Sequence, residues 1–111
     1  MVRQEFHCGD IIQLNFSPQS GHEQFGMRLA IIISNNILNQ HSRMLMVCPI
    51  TRTDKKHPFH VRLDEQTNTT GVILCDQAKM LDVISRGAVY IESAPLEIVN
   101  EVKEIIIQFI E

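Results

Sequence analysis

The sequence predicts a mainly β fold with helices (α+β): a curled, partly closed sheet with an amphipathic helix at its C-terminal end. Three observations predict it. Between Gly9 and Ile91 the chain breaks into five to seven short apolar segments, rich in β-branched residues and separated by turn residues. After Ser93 the apolar period lengthens from two to three or four residues. The 111 residues fit one compact domain, 1–111, and leave no room for two.

Taken in order, Gly9-Asp10 is a turn, and Ile12, Leu14 and Phe16 alternate with polar residues as in a half-buried strand. Residues 17–26 form a polar loop carrying Pro18, Gly21 and Gly26. Residues 29–34 are a continuous run that suits a strand buried on both sides. A short helical turn follows, with Asn35 and Asn36 at its start. Residues 45–50 are the next strand, ending at Pro49-Ile50-Thr51, and residues 59–63 alternate as a strand with one wet face. A turn at 67–71 leads into residues 72–75, with 76–80 continuing as strand, and 88–91 is a last short one. Ser93 then supplies a capping hydroxyl and Pro95 a first-turn proline. The helix beyond them carries a stripe of Leu96, Val99, Val102, Ile106 and Phe109/Ile110, opposite Glu97, Glu101 and Glu104. Short strands with exposed edges need covering, which argues for a sheet that curls.

Composition excludes several classes. Hydrophobic residues make up 44% and charged residues 21%, against long disorder. No apolar run is long enough to span a membrane, and the first residues lack signal-peptide order, so a cytoplasmic protein is expected. Cys8, Cys48 and Cys75 lack C-x-x-C spacing; Cys48 and Cys75 lie in apolar runs as small core residues would. His7, Cys8 and His22 do not have metal-ligand spacing, and no metal or cofactor is expected. Net charge is −3, yet the segment from Glu92 onward alone carries −4 and the preceding residues +1. Eight of the ten bases lie between Arg28 and Arg86, and a fold that gathers them on one face would suit a polyanion. A solvated surface is the plainer meaning of the same charges.

The segment Gly9-Asp10-Ile11-Ile12, Phe16-Ser17-Pro18 and Gly21-His22-Glu23-Gln24-Phe25-Gly26-Met27-Arg28 resembles the opening of MazF/PemK toxins. Ser34-Asn35, Asn39, Cys48-Pro49-Ile50-Thr51, Pro58-Phe59, Gly71-Val72-Ile73-Leu74 and Asp76-Gln77 then follow in that family's order, so the resemblance covers about residues 9–86. It implies an SH3-like barrel with helices, of the CcdB/MazF-like kind. The chain departs from the family at Leu29, where proline is usual, so an extra N–H needs a partner. Asp82-Val83 stand where an aromatic residue often precedes the final arginine, and tryptophan is absent. Substrate preference is therefore open, because aromatic platforms hold unstacked bases.

The resemblance implies a toxin that acts as an endoribonuclease (an mRNA interferase). It would cut single-stranded RNA at short motifs through the RNA's own 2′-hydroxyl, with a 2′,3′-cyclic phosphate as product and no metal. Arg28 matches the family's catalytic arginine and Thr51 its catalytic threonine. A planar, permanently charged guanidinium suits stabilisation of the phosphorane, and a threonine hydroxyl can donate to a non-bridging oxygen. Glu23 is the third catalytic candidate, either accepting the 2′-proton or pairing with Arg28. His22 and Gln24 flank it as substrate-binding candidates, although a loop histidine is more often just solvated. Gln77 and Lys79 are read as alternating on one strand face, one for a base edge and one for a phosphate. Arg52, Lys55, Lys56 and His57 form a basic loop suited to backbone charge, while Arg86 is expected in a structural salt bridge.

The resemblance further implies a homodimer with RNA in the groove between subunits. It also implies a cognate antitoxin with an acidic, disordered C-terminal segment and a DNA-binding N-terminal domain. Two alternatives stand beside it. A gyrase-inhibiting CcdB-like toxin would need a C-terminal tryptophan tip, whereas this chain ends Gln108-Phe109-Ile110-Glu111. A catalytically inactive RNA-binding barrel would sit oddly with retention of both Arg28 and Thr51.

Overall fold

The structure, a computed structural model, describes residues 5–17, 26–54 and 56–111. Seven strands make a mixed-length sheet: β1 (Asp10–Asn15), β2 (Met27–Ile32), β3 (Met44–Thr51), β4 (His60–Arg62), β5 (Val72–Leu74), β6 (Lys79–Asp82) and β7 (Val89–Ser93). Helix α1 (Asn36–His41) joins β2 to β3, and α2 (Leu96–Ile110) follows β7. All pairings are antiparallel, in the order β4-β5-β3-β2-β1-β7, with β6 also on β3, so the sheet has two ends and does not close.

β3 explains much of this layout. Its eight residues are long enough for one half to pair with β6 and the other with β5, while its far side lies along β2. Pro49 sits inside it rather than ending it. Alternation divides the core into two layers. Ile31, Cys48, Ile50, Val61 and Ile73 face Ile98, Val99 and Val102 of α2. Ile12, Leu14, Phe16, Ala30, Ile32, Val47, Leu81 and Val83 occupy the opposite face, so Val83 takes a core role.

Local chemistry sets the helices. Asn35 caps α1, its side chain accepting from the Leu38 amide at 2.9 Å. The cap expected from Ser93 does not form. Pro95 is the N-cap residue, and its carbonyl accepts from Ile98 and Val99. The Ser93 hydroxyl bonds Asp10 instead. The buried stripe of α2 is also rotated from the expected one: Ile98 joins Val99 and Val102 inside, while Leu96 is 71% and Ile110 79% exposed. Ile105 and Ile106 of the later turns are half-buried against the same core, and the Phe109 ring meets Phe59 at 4.9 Å, so the packed face runs along the helix with its wholly buried members in the first turns. No helix among the described residues is long and apolar enough to cross a membrane.

Candidate active site

Strand register assembles the site. β1 sets Leu14 opposite Arg28, and β2 sets Leu29 opposite Ile50 on β3. Continuing that ladder by a residue brings Arg28 opposite Thr51, which in turn faces Val72, itself opposite Arg62. Directly opposed residues share a face, so Arg28, Thr51, Val72 and Arg62 form a cross-strand row on the side away from α2. Neighbouring strands lie about 4.8 Å apart, which places the guanidinium and the hydroxyl within reach of a common phosphate. Arg28 is exposed and Thr51 half-buried. Leu29 lies in both ladders, opposite Gln13 and Ile50, so the N–H that a family proline would lack belongs to a paired strand.

Thr51 is fixed twice. Its Oγ1 accepts from the Thr53 amide at 3.3 Å, which leaves the hydroxyl proton to be donated elsewhere. Behind it stands Gly71 at φ +122°, where any Cβ would overlap the Thr51 carbonyl oxygen. The sequence marks Gly71 as a turn residue and as the first residue of the family-ordered Gly71-Val72-Ile73-Leu74; its fit against Thr51 depends on the β3–β5 pairing and has no local signal.

Residues 52–54 and 56–59 form a wall. β4 and β3 run in the same direction with β5 between them, so this segment crosses β5. It crosses on the Thr51 face, because Asp54 grips Arg62 and His57 stacks on His60, both side chains of that face. Val72 and Leu74 beneath it are 2% and 3% exposed. Asp54 Oδ1 accepts from the Lys56 amide at 2.8 Å, and Oδ2 takes Nε of Arg62 at 3.0 Å together with its Nη2. The Lys56 amide, then the Arg62 guanidinium, holds the Asp54 carboxyl below its ordinary value. Lys56 adopts φ +53°, an uncommon conformation for a non-glycine residue that this Asx-type turn supports. Arg52 and Lys56 are both exposed on the wall.

The expected strand carrying Gln77 and Lys79 together is not found. Cys75–Gln77 is a 3-10 turn, and β6 begins only at Lys79. The turn lets the chain leave β5 on one half of β3 and rejoin it on the other. Lys79 stays on the site face, opposite Val47, with its ammonium 5.9 Å from the ring centre of Phe16. Phe16 pairs with Gly26 at the Arg28 end of β2, so the lysine reaches toward that end. Arg86 is structural as expected, and among the described residues it acts through carbonyls: Nη1 donates to Asn15 at 3.0 Å and Ser17 at 2.9 Å. His22, Glu23, Gln24 and Lys55 lie outside the described residues. His7 Nδ1 lies 3.8 Å from Asp10 Oδ2, and the Cys8 thiol points at the Ile33 carbonyl. Burial pushes Cys75 up to about 12 and raises Cys48 further, leaving both as inert core thiols.

The sheet thus carries a helix across one face and, on the other, Arg28 and Thr51 beside a wall that bears the exposed Arg52 and Lys56, the arrangement of a small α+β protein with one open, charged face. The chain belongs to the PemK-like, MazF-like toxins of type II toxin–antitoxin systems, whose family model matches residues 7–110. It is 34% identical over 104 residues to the endoribonuclease PemK of Escherichia coli, covering 90% of this chain and 78% of the relative. A crystal structure of MazF from Deinococcus radiodurans superposes with a TM-score of 0.91 at 33% identity, over 97% of this chain and 98% of that one. A MazE–MazF structure from the same organism gives a TM-score of 0.85 at 33% identity, over 97% of each chain.

Proposed function

We propose that residues 1–111 form a single toxin domain that cuts single-stranded RNA without a metal ion. The carrying observation is the β2–β3 register, Leu29 opposite Ile50, which continued by one residue sets Arg28 opposite Thr51 on the open face. The RNA's 2′-oxygen attacks the adjacent phosphorus as its proton leaves, the bond to the 5′-oxygen breaks, and that oxygen takes a proton from water, giving a 2′,3′-cyclic phosphate and a 5′-hydroxyl. Arg28 stabilises the charge of the phosphorane, and Thr51 donates its unused proton to a non-bridging oxygen. Glu23 accepts the 2′-proton or orients Arg28. His22, Gln24, Arg52, Lys55, Lys56, Gln77 and Lys79 hold flanking nucleotides, with the bases on the wall following backbone charge.

The protein acts in the cytoplasm as a homodimer with the RNA between subunits. Exposed Met27, beside Arg28, and the exposed Val89, Tyr90 and Ile91 of edge strand β7 are apolar surface that a second copy would cover. The MazE–MazF relative supports a cognate antitoxin here too. Its acidic, disordered C-terminal segment would compete with RNA for the basic face, and its N-terminal domain would bind DNA. The test is a long unstructured RNA incubated in EDTA with the protein and with Arg28→Ala. Discrete fragments ending in cyclic phosphate, made only by the unsubstituted protein, are expected. Intact RNA, or cutting by a folded Arg28→Ala, would overturn the reading.

A further inference from the structure

A second group of polar side chains lies beside the Arg28–Thr51 pair. His57 belongs to the crossing wall, His60 opens β4 and Asp76 sits in the 3-10 turn. Asp76 stands 16 positions beyond His60 and 19 beyond His57 in sequence, yet the β4–β5 pairing folds them together: His60 lies opposite Leu74. One donor atom from each of the three residues lies within 4.8 Å of the others. The two imidazoles stack with centroids 4.8 Å apart, and His60 Nε2 stands 3.7 Å from Asp76 Oδ1.

His60 is the member that calls for an explanation. Its side chain is only 11% exposed, and Nδ1 is buried without a hydrogen-bond partner. The Nε2 contact with Asp76 is too long to be a hydrogen bond. A buried imidazole with neither nitrogen hydrogen-bonded among the described residues is rare, because such groups are expensive to strip of water. An ion drawn in between the three side chains would give one of its two nitrogens a partner.

We propose that His57, His60 and Asp76 form a site for one divalent transition-metal ion of the Zn²⁺ kind. Two imidazoles and a carboxylate are a nitrogen-rich donor set that suits Zn²⁺ and disfavours Mg²⁺ or Ca²⁺, which take oxygen ligands. Tetrahedral Zn²⁺ with ligands at about 2.1 Å sets its donors roughly 3.4 Å apart, so the three atoms need to close by little more than an ångström. His57 is exposed and Asp76 has a side chain 38% exposed, so both can turn inward. His57 gives up a local bond in doing so, the one its Nδ1 accepts from the Phe59 amide at 3.1 Å. The exposed side of His57 leaves a fourth position for water.

Such an ion plays no part in the cleavage chemistry proposed above. It ties the wall that carries Arg52 and Lys56 to β4 and to the turn that carries Gln77. The effect is a clamp on the border of the open face.

Zn²⁺ alone, titrated into EDTA-treated and desalted protein, tests this by calorimetry and thermal unfolding. The expected result is saturable uptake of one ion per chain and a higher midpoint of unfolding. His57→Ala and Asp76→Asn, both at exposed positions, should each weaken uptake at least tenfold and abolish the thermal shift. Co²⁺ in place of Zn²⁺ should give visible bands of a nitrogen–oxygen site, without the thiolate charge-transfer band that Cys8, Cys48 or Cys75 would produce. Absence of saturable uptake, uptake unchanged in both variants, or a thiolate band would overturn the proposal. None of these readouts depends on RNA cleavage, so the two readings fail separately.

Discussion

The two faces of the sheet are built by different means. Against α2, side chains such as Ile31, Ile73 and Val102 are wholly buried, and their order follows from alternation along strands and the period of a helix. On the other face the apolar layer stops short of Arg28 and Thr51, and what surrounds that pair is turn chemistry and register. The helix side holds the sheet in shape; the open side uses that shape to bring together groups twenty-three residues apart. Stability and activity should therefore respond to different residues.

Substitutions can separate the two faces. The largest effect is expected for Arg28→Ala, a loss of RNA cleavage of about 10³-fold or more with unfolding unchanged, since removal of a transition-state cation costs on that scale. Ile31→Ala on the helix side should lower stability by about 2–5 kcal/mol in denaturant titrations and leave the cleavage rate of the remaining folded protein near normal. Gly71→Ala should cross the divide. Its φ of +122° and the overlap with the Thr51 carbonyl predict a loss of roughly 1–3 kcal/mol, with a fall in turnover that exceeds the loss of folded protein. If turnover tracked folding alone in that variant, the idea that Gly71 seats Thr51 would be wrong.

The smallest effect concerns pH. Glu92 accepts from the Thr69 hydroxyl at 2.6 Å and from the amides of Asn68 and Thr69, and these bonds hold its carboxyl below the ordinary 4.5. A depressed folded value means the contribution is present above pH 4.5 and is lost as the pH falls through the folded value. Melting curves of Glu92→Gln should therefore be modestly lower near neutrality and converge on those of the unsubstituted protein in acid. Parallel curves at all pH values would contradict that assignment.

Legibility in the sequence followed the same division. The strands, the Asn35 cap and α2 were readable because each rests on neighbours in the chain. Arg28 and Thr51 were readable only through resemblance, since nothing between residues 28 and 51 announces that they face each other. The 3-10 turn at Cys75–Gln77 was missed because its apolar-polar alternation mimics a strand, while its cause is the change of partner along β3. The rotated stripe of α2, with Ile98 and Ile105 turned in and Leu96 and Ile110 turned out, is set by how the helix lies on the sheet, a tertiary matter. Asp54–Arg62 and the His57–His60–Asp76 group arise from the crossing of β5 and have no local trace.

The central claim is that register makes Arg28 and Thr51 a single device. A double-mutant cycle, with single-turnover cleavage of a fixed RNA in EDTA by the unsubstituted protein, Arg28→Ala, Thr51→Ala and the double variant, tests it most directly. Groups that act on a common phosphate should be strongly non-additive, the double variant cutting little more slowly than Arg28→Ala alone. Losses that multiply independently would mean the two residues do not share a phosphate, and the site described here would be wrong.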